Sequence, residues 1–189
     1  MRVAAVLACI AALTFATIPA SAAGSWKPCT VSGTQGDDRR LEGTVRSDVI
    51  CGLGGDDKIF GLGGDDIIRG GAGGDVLIAG EGDDRLFGGN GDDQLYGRDG
   101  ADRLVGGRHD DTLEADDGSD VALGGRGSDS LYGTEGDDIL RGGRGNEHCM
   151  WSRDNEAGDS VFGGPGIDRG SVDSADVEGS LERHPACWG

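Results

Sequence analysis

The sequence predicts an all-β fold, a right-handed parallel β-roll (a β-solenoid) with capped, disulfide-pinned ends. Three observations predict it. Glycine supplies 39 of the 189 residues and aromatic residues only 5%, so large side chains are too few for a conventional layered core. A nine-residue period runs without a gap from Gly43 to Met150. Within that period, aspartate and aliphatic residues recur at fixed places, and a disordered chain does not require such phasing.

Residues 1–22 have the pattern of a secretory signal peptide. Arg2 forms a short basic region, Val3 to Ile18 an apolar region, and Ala20-Ser21-Ala22 a small-residue cleavage site. The apolar run is too short for a membrane span, and no later segment resembles one. We therefore expect a secreted, extracellular protein without a membrane span, which loses Cys9 together with its leader.

The formal net charge of the chain is −18 at pH 7. A surface with this excess of carboxylates repels the phosphates of nucleic acid and attracts cations. We therefore expect cations as partners and no nucleic-acid binding. The chain is expected to be a monomer.

Twelve consecutive nine-residue units occupy residues 43–150. Position 6 of the unit is aspartate in eleven of them, and position 8 is isoleucine or leucine in ten. Side chains alternate between the two faces of a strand, so the uniformly aliphatic position 8 is expected to face inward and positions 7 and 9 outward. We expect positions 1–6 to form a loop and positions 7–9 a strand. Two units then make one turn, and each loop stacks on the loop eighteen residues later.

Irregular units flank the array. An imperfect unit with one extra residue, Gly33–Glu42, precedes it, and two degenerate units follow at 154–162 and 163–168. We assign residues 23–42 to an N-terminal cap and residues 151–189 to the degenerate units and a C-terminal cap, because the open ends of a solenoid need protection.

The unit resembles the RTX, or hemolysin-type, calcium-binding nonapeptide repeat, G-G-x-G-x-D-x-U-x. The resemblance covers 108 of 189 residues, and the chain looks more like small exported actinobacterial members than like toxins. In that family the position-6 aspartate is the side-chain ligand, and glycines let backbone carbonyls converge on the ion. The resemblance implies several calcium ions, held by the following position-6 residues: Asp57, Asp66, Asp75, Asp84, Asp93, Asp102, Asp111, Asp120, Asp129 and Asp138.

Each calcium ion is expected between two stacked loops, with carboxylates from both, as for Asp57 with Asp75. Without calcium these carboxylates repel one another, and one inward aliphatic side chain per unit is a small core to offset the entropy lost on ordering. We therefore expect calcium binding and folding to be coupled.

Some units depart from the consensus. Asp111 follows His109 at position 4, and the unit of Asp120 begins with alanine instead of glycine. Asp48 lies in a unit with arginine at position 4, and Glu147 replaces aspartate. Metal binding therefore stays open for the units of Asp48 and Glu147.

Four cysteines remain after loss of the leader, and an oxidising compartment favours disulfides between them, with free thiols as the alternative. Cys51 and Cys149 are separated by about five turns, roughly 25 Å at about 4.8 Å per turn, which is too far for a disulfide. We therefore expect Cys29–Cys51 and Cys149–Cys187 to close the two ends. Cys149 occupies an inward position 8, from which it would pin the C-terminal cap.

No catalytic motif is present. The chain has no His-Glu-x-x-His, and His109, His148 and His184 lack the spacing of metal ligands. No phosphate-binding loop with Lys-Ser/Thr occurs either. We therefore expect a protein that is not an enzyme, namely a calcium-dependent structural, adhesion or calcium-buffering module.

A recognition protein is the alternative, binding polysaccharide or ice, or serving as the accessory non-catalytic domain of an exported enzyme system. Such surfaces usually carry a regular outer ladder of one residue type. Positions 7 and 9 show no regular ladder, although Phe60, Ile78 and Tyr96 would form a partial apolar strip if they share a face.

Overall fold

A computed structural model describes residues 27–152 and 159–165 and the strands at 169–172, 177–178 and 182–183. The predicted signal peptide lies outside the described residues. Within them the chain is all β, with eighteen strands and no helix, and so contains no helix long and apolar enough to cross a membrane.

The strands alternate between two parallel sheets. One sheet has the order β1-β3-β5-β7-β9-β11-β13-β15-β17, and the other the order β18-β16-β14-β12-β10-β8-β6-β4-β2. We call them the odd sheet and the even sheet. This arrangement confirms the predicted parallel β-solenoid. The strands are β1 (Val31–Ser32), β2 (Leu41–Glu42), β3 (Val49–Cys51), β4 (Lys58–Gly63), β5 (Ile67–Ala72), β6 (Val76–Glu81), β7 (Arg85–Asn90), β8 (Gln94–Asp99), β9 (Arg103–Arg108), β10 (Thr112–Asp117), β11 (Val121–Arg126), β12 (Ser130–Tyr132), β13 (Ile139–Arg144), β14 (Cys149–Ser152), β15 (Ser160–Phe162), β16 (Arg169–Val172), β17 (Val177–Glu178) and β18 (Glu182–Arg183).

The regular strands are longer than the sequence predicts. Each has six residues, because positions 1–3 of the next unit extend the strand formed by positions 7–9. The pairing continues through the glycines, so that Gly71 lies opposite Gly89 and Ala72 opposite Asn90. Only positions 4–6 remain as turns, and the predicted six-residue loop is wrong. Glycine does not end the strand here, because its backbone groups still join the hydrogen-bonded ladder.

The core is a double column of position-8 side chains, as predicted. Ile59 lies opposite Leu77, and Leu77 opposite Leu95, each fully buried. The same holds for the other aliphatic residues at this position from Ile50 to Leu140, and Ala122 is buried as well. The side chains of positions 7 and 9 face outward.

The prediction that Cys149 points inward is wrong. Met150 lies opposite Leu131 and is fully buried, whereas Cys149 lies opposite Ser130 and is only partly buried. The backbone N–H of His148 keeps the regular register, so one extra residue enters between His148 and Met150. The shift places a longer, adaptable apolar side chain in the core and buries more apolar surface there.

The N-terminal end is closed by a disulfide. Cys29 and Cys51 are bonded, with their Cα atoms 6.0 Å apart, which confirms this predicted pair. Val31 lies opposite Ile50, nineteen residues later, so the extra residue of the imperfect unit is accommodated within the first turn. Cys187 lies outside the described residues, and its pairing with Cys149 remains a prediction.

Five non-glycine residues adopt a backbone conformation in the left-handed region. They have φ between 72° and 83° at positions 2 or 4, where most other units have glycine: Leu53, Leu62, Arg98, His109 and Asp116. A Cβ atom makes this conformation unfavourable by about 1–2 kcal/mol. Strain is therefore stored at these positions in the folded roll.

Replacing His109 with glycine is expected to stabilise the roll. His109 has φ 79° and an exposed side chain, so the change relieves strain and removes little packing. The greater entropy of glycine in the unfolded chain offsets part of the gain, which leaves about 0.5–1 kcal/mol. Urea unfolding at saturating calcium measures the change.

Val45 provides the matched control, because it is 81% exposed and does not have a positive φ. V45G is expected to destabilise the roll slightly, since only the entropy term remains. If H109G destabilises the protein as much as V45G does, the left-handed conformation at position 109 carries no strain.

Candidate metal centre

The position-6 aspartates form two buried columns, one at each edge of the roll. Position 6 lies two residues before the inward position 8, and side-chain alternation therefore turns it to the same face. All ten predicted aspartates are at most 2% exposed. One edge contains Asp57, Asp75, Asp93, Asp111 and Asp129, and the other contains Asp66, Asp84, Asp102, Asp120 and Asp138.

One oxygen of each carboxylate links neighbouring turns. The backbone N–H of Asp57 donates to Oδ1 of Asp75 at 2.8 Å, and that of Asp66 donates to Oδ1 of Asp84 at 2.6 Å. The same bond recurs along both columns at 2.6–3.0 Å. The structure thus brings together the aspartates that the sequence predicts to be stacked.

The other carboxylate oxygen, Oδ2, is buried without a hydrogen-bond donor. Such an atom destabilises a folded protein unless an ion or a proton satisfies it. In the units that begin with glycine this oxygen lies over that glycine: a Cβ atom built on Gly52 would be 2.2 Å from Oδ2 of Asp57. Alanine takes the place of this glycine in the units of Asp84 and Asp120. Among the described column aspartates, Oδ2 is buried without a hydrogen-bond donor at nine: Asp57, Asp66, Asp75, Asp84, Asp93, Asp102, Asp111, Asp120 and Asp129.

Burial raises the pKa of these carboxyl groups far above the usual value near 4. It raises the pKa of Asp84 and Asp93 to about 7 and that of Asp111 and Asp120 to about 8. Loss of hydration is the main cause, neighbouring carboxylates add to it, and the backbone hydrogen bond offsets part of it. The columns therefore resist ionisation unless a cation compensates the charge.

Side-chain cations do not supply this compensation. The ion pairs found between described residues are Arg40–Glu42 and Arg98–Asp116, and neither involves any of the nine aspartates with a donor-free Oδ2. No cluster of three or more His, Cys, Asp or Glu side chains suited to a metal occurs in the described part of the chain. A metal ion between two turns would therefore meet two carboxylates at most and would need backbone oxygens for its remaining ligands.

Backbone oxygens are available in the same turns. The position-4 carbonyl oxygens of Gly73, Gly82 and Gly91 accept no hydrogen bond from described residues. They lie close to the next turn, since a Cβ atom on Gly91 would be 2.2 Å from the oxygen of Gly73. Calcium prefers six to eight ligands drawn from carboxylates and carbonyls and tolerates irregular geometry. The residues present therefore fit calcium.

The irregular units behave differently from one another. Asp111 and Asp120 are as buried and as hydrogen-bonded as the others, despite the substitutions around them. Asp48 instead has donors on both oxygens: Thr30 on Oδ1 and Thr44 on Oδ2. Thr44 is the main reason that the pKa of Asp48 lies below its usual value. Asp48 thus differs from the buried column aspartates, because both of its carboxylate oxygens already accept hydrogen bonds from threonine.

Besides Asp48, whose backbone N–H donates to Oδ1 of Asp66, two aspartates outside the predicted set extend the columns. The backbone N–H of Asp38 donates to Oδ1 of Asp57, and the N–H of Asp138 donates to Oδ1 of Asp159. Asp159 is buried and accepts a hydrogen bond from Ser152. Asp159 is position 6 of the degenerate unit at 154–162, so the phase of that unit contains the signal that could have identified it.

These features define a class of protein: a parallel β-roll whose turns stack buried carboxylates and carbonyls suited to calcium. Comparison with known families agrees. The model of the RTX calcium-binding nonapeptide repeat (4 copies) matches residues 42–77, 78–113 and 114–146, together more than half of the chain. The chain belongs to this family, whose repeats bind calcium. No curated protein and no solved structure matches it.

Acidification is expected to stabilise the metal-free roll. Between about pH 4 and pH 8 the folded columns hold more protons than the unfolded chain, because their carboxyl pKa values reach about 7 to 8. Stability therefore rises as pH falls through this window. Circular dichroism in EGTA should show β structure increasing from about pH 8 to about pH 5.

Calcium affinity should follow the opposite trend and fall as the pH falls, since bound protons compete with the ion. More calcium should be needed for half-maximal binding at about pH 6 than at about pH 8. A metal-free spectrum that does not change with pH, together with a constant calcium affinity, would contradict this account of the columns.

Proposed function

We propose that this protein is a secreted module that folds when calcium binds and acts outside the cell as a structural, adhesion or calcium-buffering element. The observation that carries the proposal is the pair of carboxylate columns. Nine buried oxygens have neither a donor nor a side-chain cation among the described residues. At neutral pH, calcium is the partner that suits their chemistry and spacing.

Each gap between adjacent aspartates of a column is a proposed calcium site. The proposed ligands are the carboxylates of the ten predicted residues, together with position-4 carbonyls of the same turns. Most of these aspartates border two gaps, because the columns are continuous. Binding in one gap therefore fixes a turn that forms half of the next site, and cooperative filling is expected.

Folding outside the cell follows from the weakness of the core. Each unit buries one aliphatic side chain, and the ions must compensate for the rest of the ordering entropy. Extracellular calcium modules function with sites of about 10⁻⁴–10⁻³ M. The Cys29–Cys51 disulfide is consistent with an oxidising compartment. In the proposed sequence of events, the chain is exported unfolded and calcium then folds it outside the cell.

The direct test is a calcium titration of the leader-free protein followed by far-UV circular dichroism and reversed with EGTA. We expect a coil-like spectrum that converts cooperatively to β, with magnesium much less effective because it demands a smaller octahedral site. A spectrum that is indifferent to calcium at neutral pH would refute the mechanism.

Asp93 and Asp92 form a matched pair for testing the ligand role. Asp93 is buried with a donor-free Oδ2, whereas its neighbour Asp92 is exposed and accepts the N–H of Asp110. D93N keeps the size of the side chain but removes a charge from two proposed sites. It should raise the calcium concentration at half-folding several-fold and reduce the ion stoichiometry measured by calorimetry. D92N should change neither quantity; equal effects would show that only total charge matters.

A second candidate function is polysaccharide recognition on the even sheet. Phe60, Ile78 and Tyr96 do share a face there, at successive position-9 sites. Glu114 interrupts the column after Tyr96, and beyond it lie Tyr132 and Trp151, whose rings meet edge to face at 6.4 Å. A pocket of about 410 Å³ adjoins these two rings. Aromatic faces beside polar groups suit the apolar faces of sugar rings.

Co-sedimentation with insoluble polysaccharides tests this second function. If the column binds sugar, W151A should lower the bound fraction, whereas F87A, on the odd sheet, should not. Calcium-dependent circular dichroism of both variants establishes that they fold.

A further inference from the structure

The two edges of the roll carry opposite charges at position 3, where each regular strand ends. On the odd sheet, consecutive turns place Arg108, Arg126 and Arg144 opposite one another. We call these three residues the basic ladder. On the even sheet, the equivalent positions form an acidic ladder: Glu81, Asp99, Asp117 and Glu135.

Both ladders are exposed. The seven side chains are solvent-accessible, and within the described part of the chain the basic ladder makes no ion pair. Asp110, two residues after Arg108, accepts the backbone N–H of Ser128 in the following turn. Three guanidinium groups stacked about 4.8 Å apart repel one another, so an external anionic surface would stabilise them.

A groove adjoins the basic ladder. It has a volume of about 500 Å³, and Gly89, Gly107 and Gly125 form its floor, with the arginines and Asn90 beside them. The absence of side chains on the glycines leaves room for carboxylate side chains from outside. The acidic edge has no such glycine row, because Arg98 and Asp116 occupy the corresponding positions and pair at 3.3 Å.

The ladders match each other in register. Asp99 ends β8 and Arg108 ends β9, so both belong to one turn; Asp117 and Arg126 belong to the next. Glu135 and Arg144 belong to the turn after that. Within one turn the two ladder residues are offset along the roll axis by about half of the 4.8 Å rise per turn. These long side chains can span that offset. A copy shifted sideways, without rotation, therefore aligns three charge pairs at once.

We infer that calcium-loaded copies of this chain associate side by side, with the basic ladder of one copy against the acidic ladder of the next. This inference rests on the proposed function, because calcium forms the roll that aligns the ladders. Calcium also offsets the net charge of −18 that would otherwise keep copies apart. The contact joins two different surfaces by translation and leaves a free ladder at each end, so it extends into ribbons rather than closing into a dimer.

Charge reversal with the full chain tests the assembly. Sedimentation velocity of the wild type should show calcium-dependent species larger than the monomer, which dissociate when about 0.5 M salt shortens the Debye length to a few ångströms. R108E/R126E/R144E and D99K/D117K/E135K should each weaken association at least about tenfold. An equimolar mixture of the two variants should associate again, because one carries two acidic edges and the other two basic edges.

The control variant is R39E/R40E/R141E, which makes the same change in net charge at three exposed arginines outside both ladders. It should associate like the wild type. Circular dichroism in calcium reports the folding of every variant. A wild type that folds yet stays monomeric overturns the assembly, as does association that survives reversal of either ladder.

Two further outcomes distinguish self-association from binding to a soluble polyanion and from failure of the proposed function. A folded monomer that binds poly-L-glutamate through the basic ladder overturns self-association in favour of a soluble polyanion as the partner. A chain that calcium does not fold overturns the proposed function and, with it, a calcium-dependent assembly. The monomer expected from sequence is thus tested directly.

Discussion

Burial of the position-6 carboxylates is the constraint on which the rest of the structure depends. A strand that places a leucine inward at position 8 must place position 6 inward as well, because side chains alternate. Asp93 therefore enters the same interior as Leu95, and its pKa rises to about 7. An interior that is half aliphatic and half carboxylate is not stable when all of its carboxylates are ionised and no cation compensates their charge. The fold is consequently linked to whatever neutralises the columns, a proton at low pH or calcium near neutrality.

The glycine pattern follows from the same constraint. A Cβ atom on Gly88 would lie 2.3 Å from Oδ2 of Asp93, so the position-1 glycine provides the space in which that carboxylate lies. At position 4, a Cβ atom on Gly91 would lie 2.2 Å from the carbonyl oxygen of Gly73, so a bare backbone lets successive turns stack closely. Alanine at Ala79 and Ala115 and histidine at His109 are tolerated at these two positions. Glycine thus favours close approach between turns, which helps a chain with few large side chains to adopt a unique fold.

The strict period explains what the sequence could predict. A fixed interval of eighteen residues determines which residues stack, so the pairing of Asp57 with Asp75 and the inward position 8 follow from counting. The prediction of the Cys29–Cys51 bond rests instead on the distance along the roll between Cys51 and Cys149, which is too long for a disulfide. Counting fails where a residue is inserted, because the position of the extra residue depends on packing. Met150 displaces Cys149 from the core for that reason. The sequence pattern also cannot show that glycines continue a strand, since their backbone hydrogen bonds leave no trace in side-chain periodicity.

The charge ladders illustrate which positions a repeat leaves undetermined. Positions 6 and 8 are buried and positions 1 and 4 are sterically restricted, so their residues hardly vary. Position 3 is exposed in every unit from Ala72 to Arg144, and the roll is compatible with alanine at Ala72, asparagine at Asn90 and arginine at Arg108. Folding therefore does not require acids on one edge and arginines on the other. The fold does not need this separation of charge, yet it is repeated over three turns in matching register. A surface that the folded roll presents to a partner explains it better.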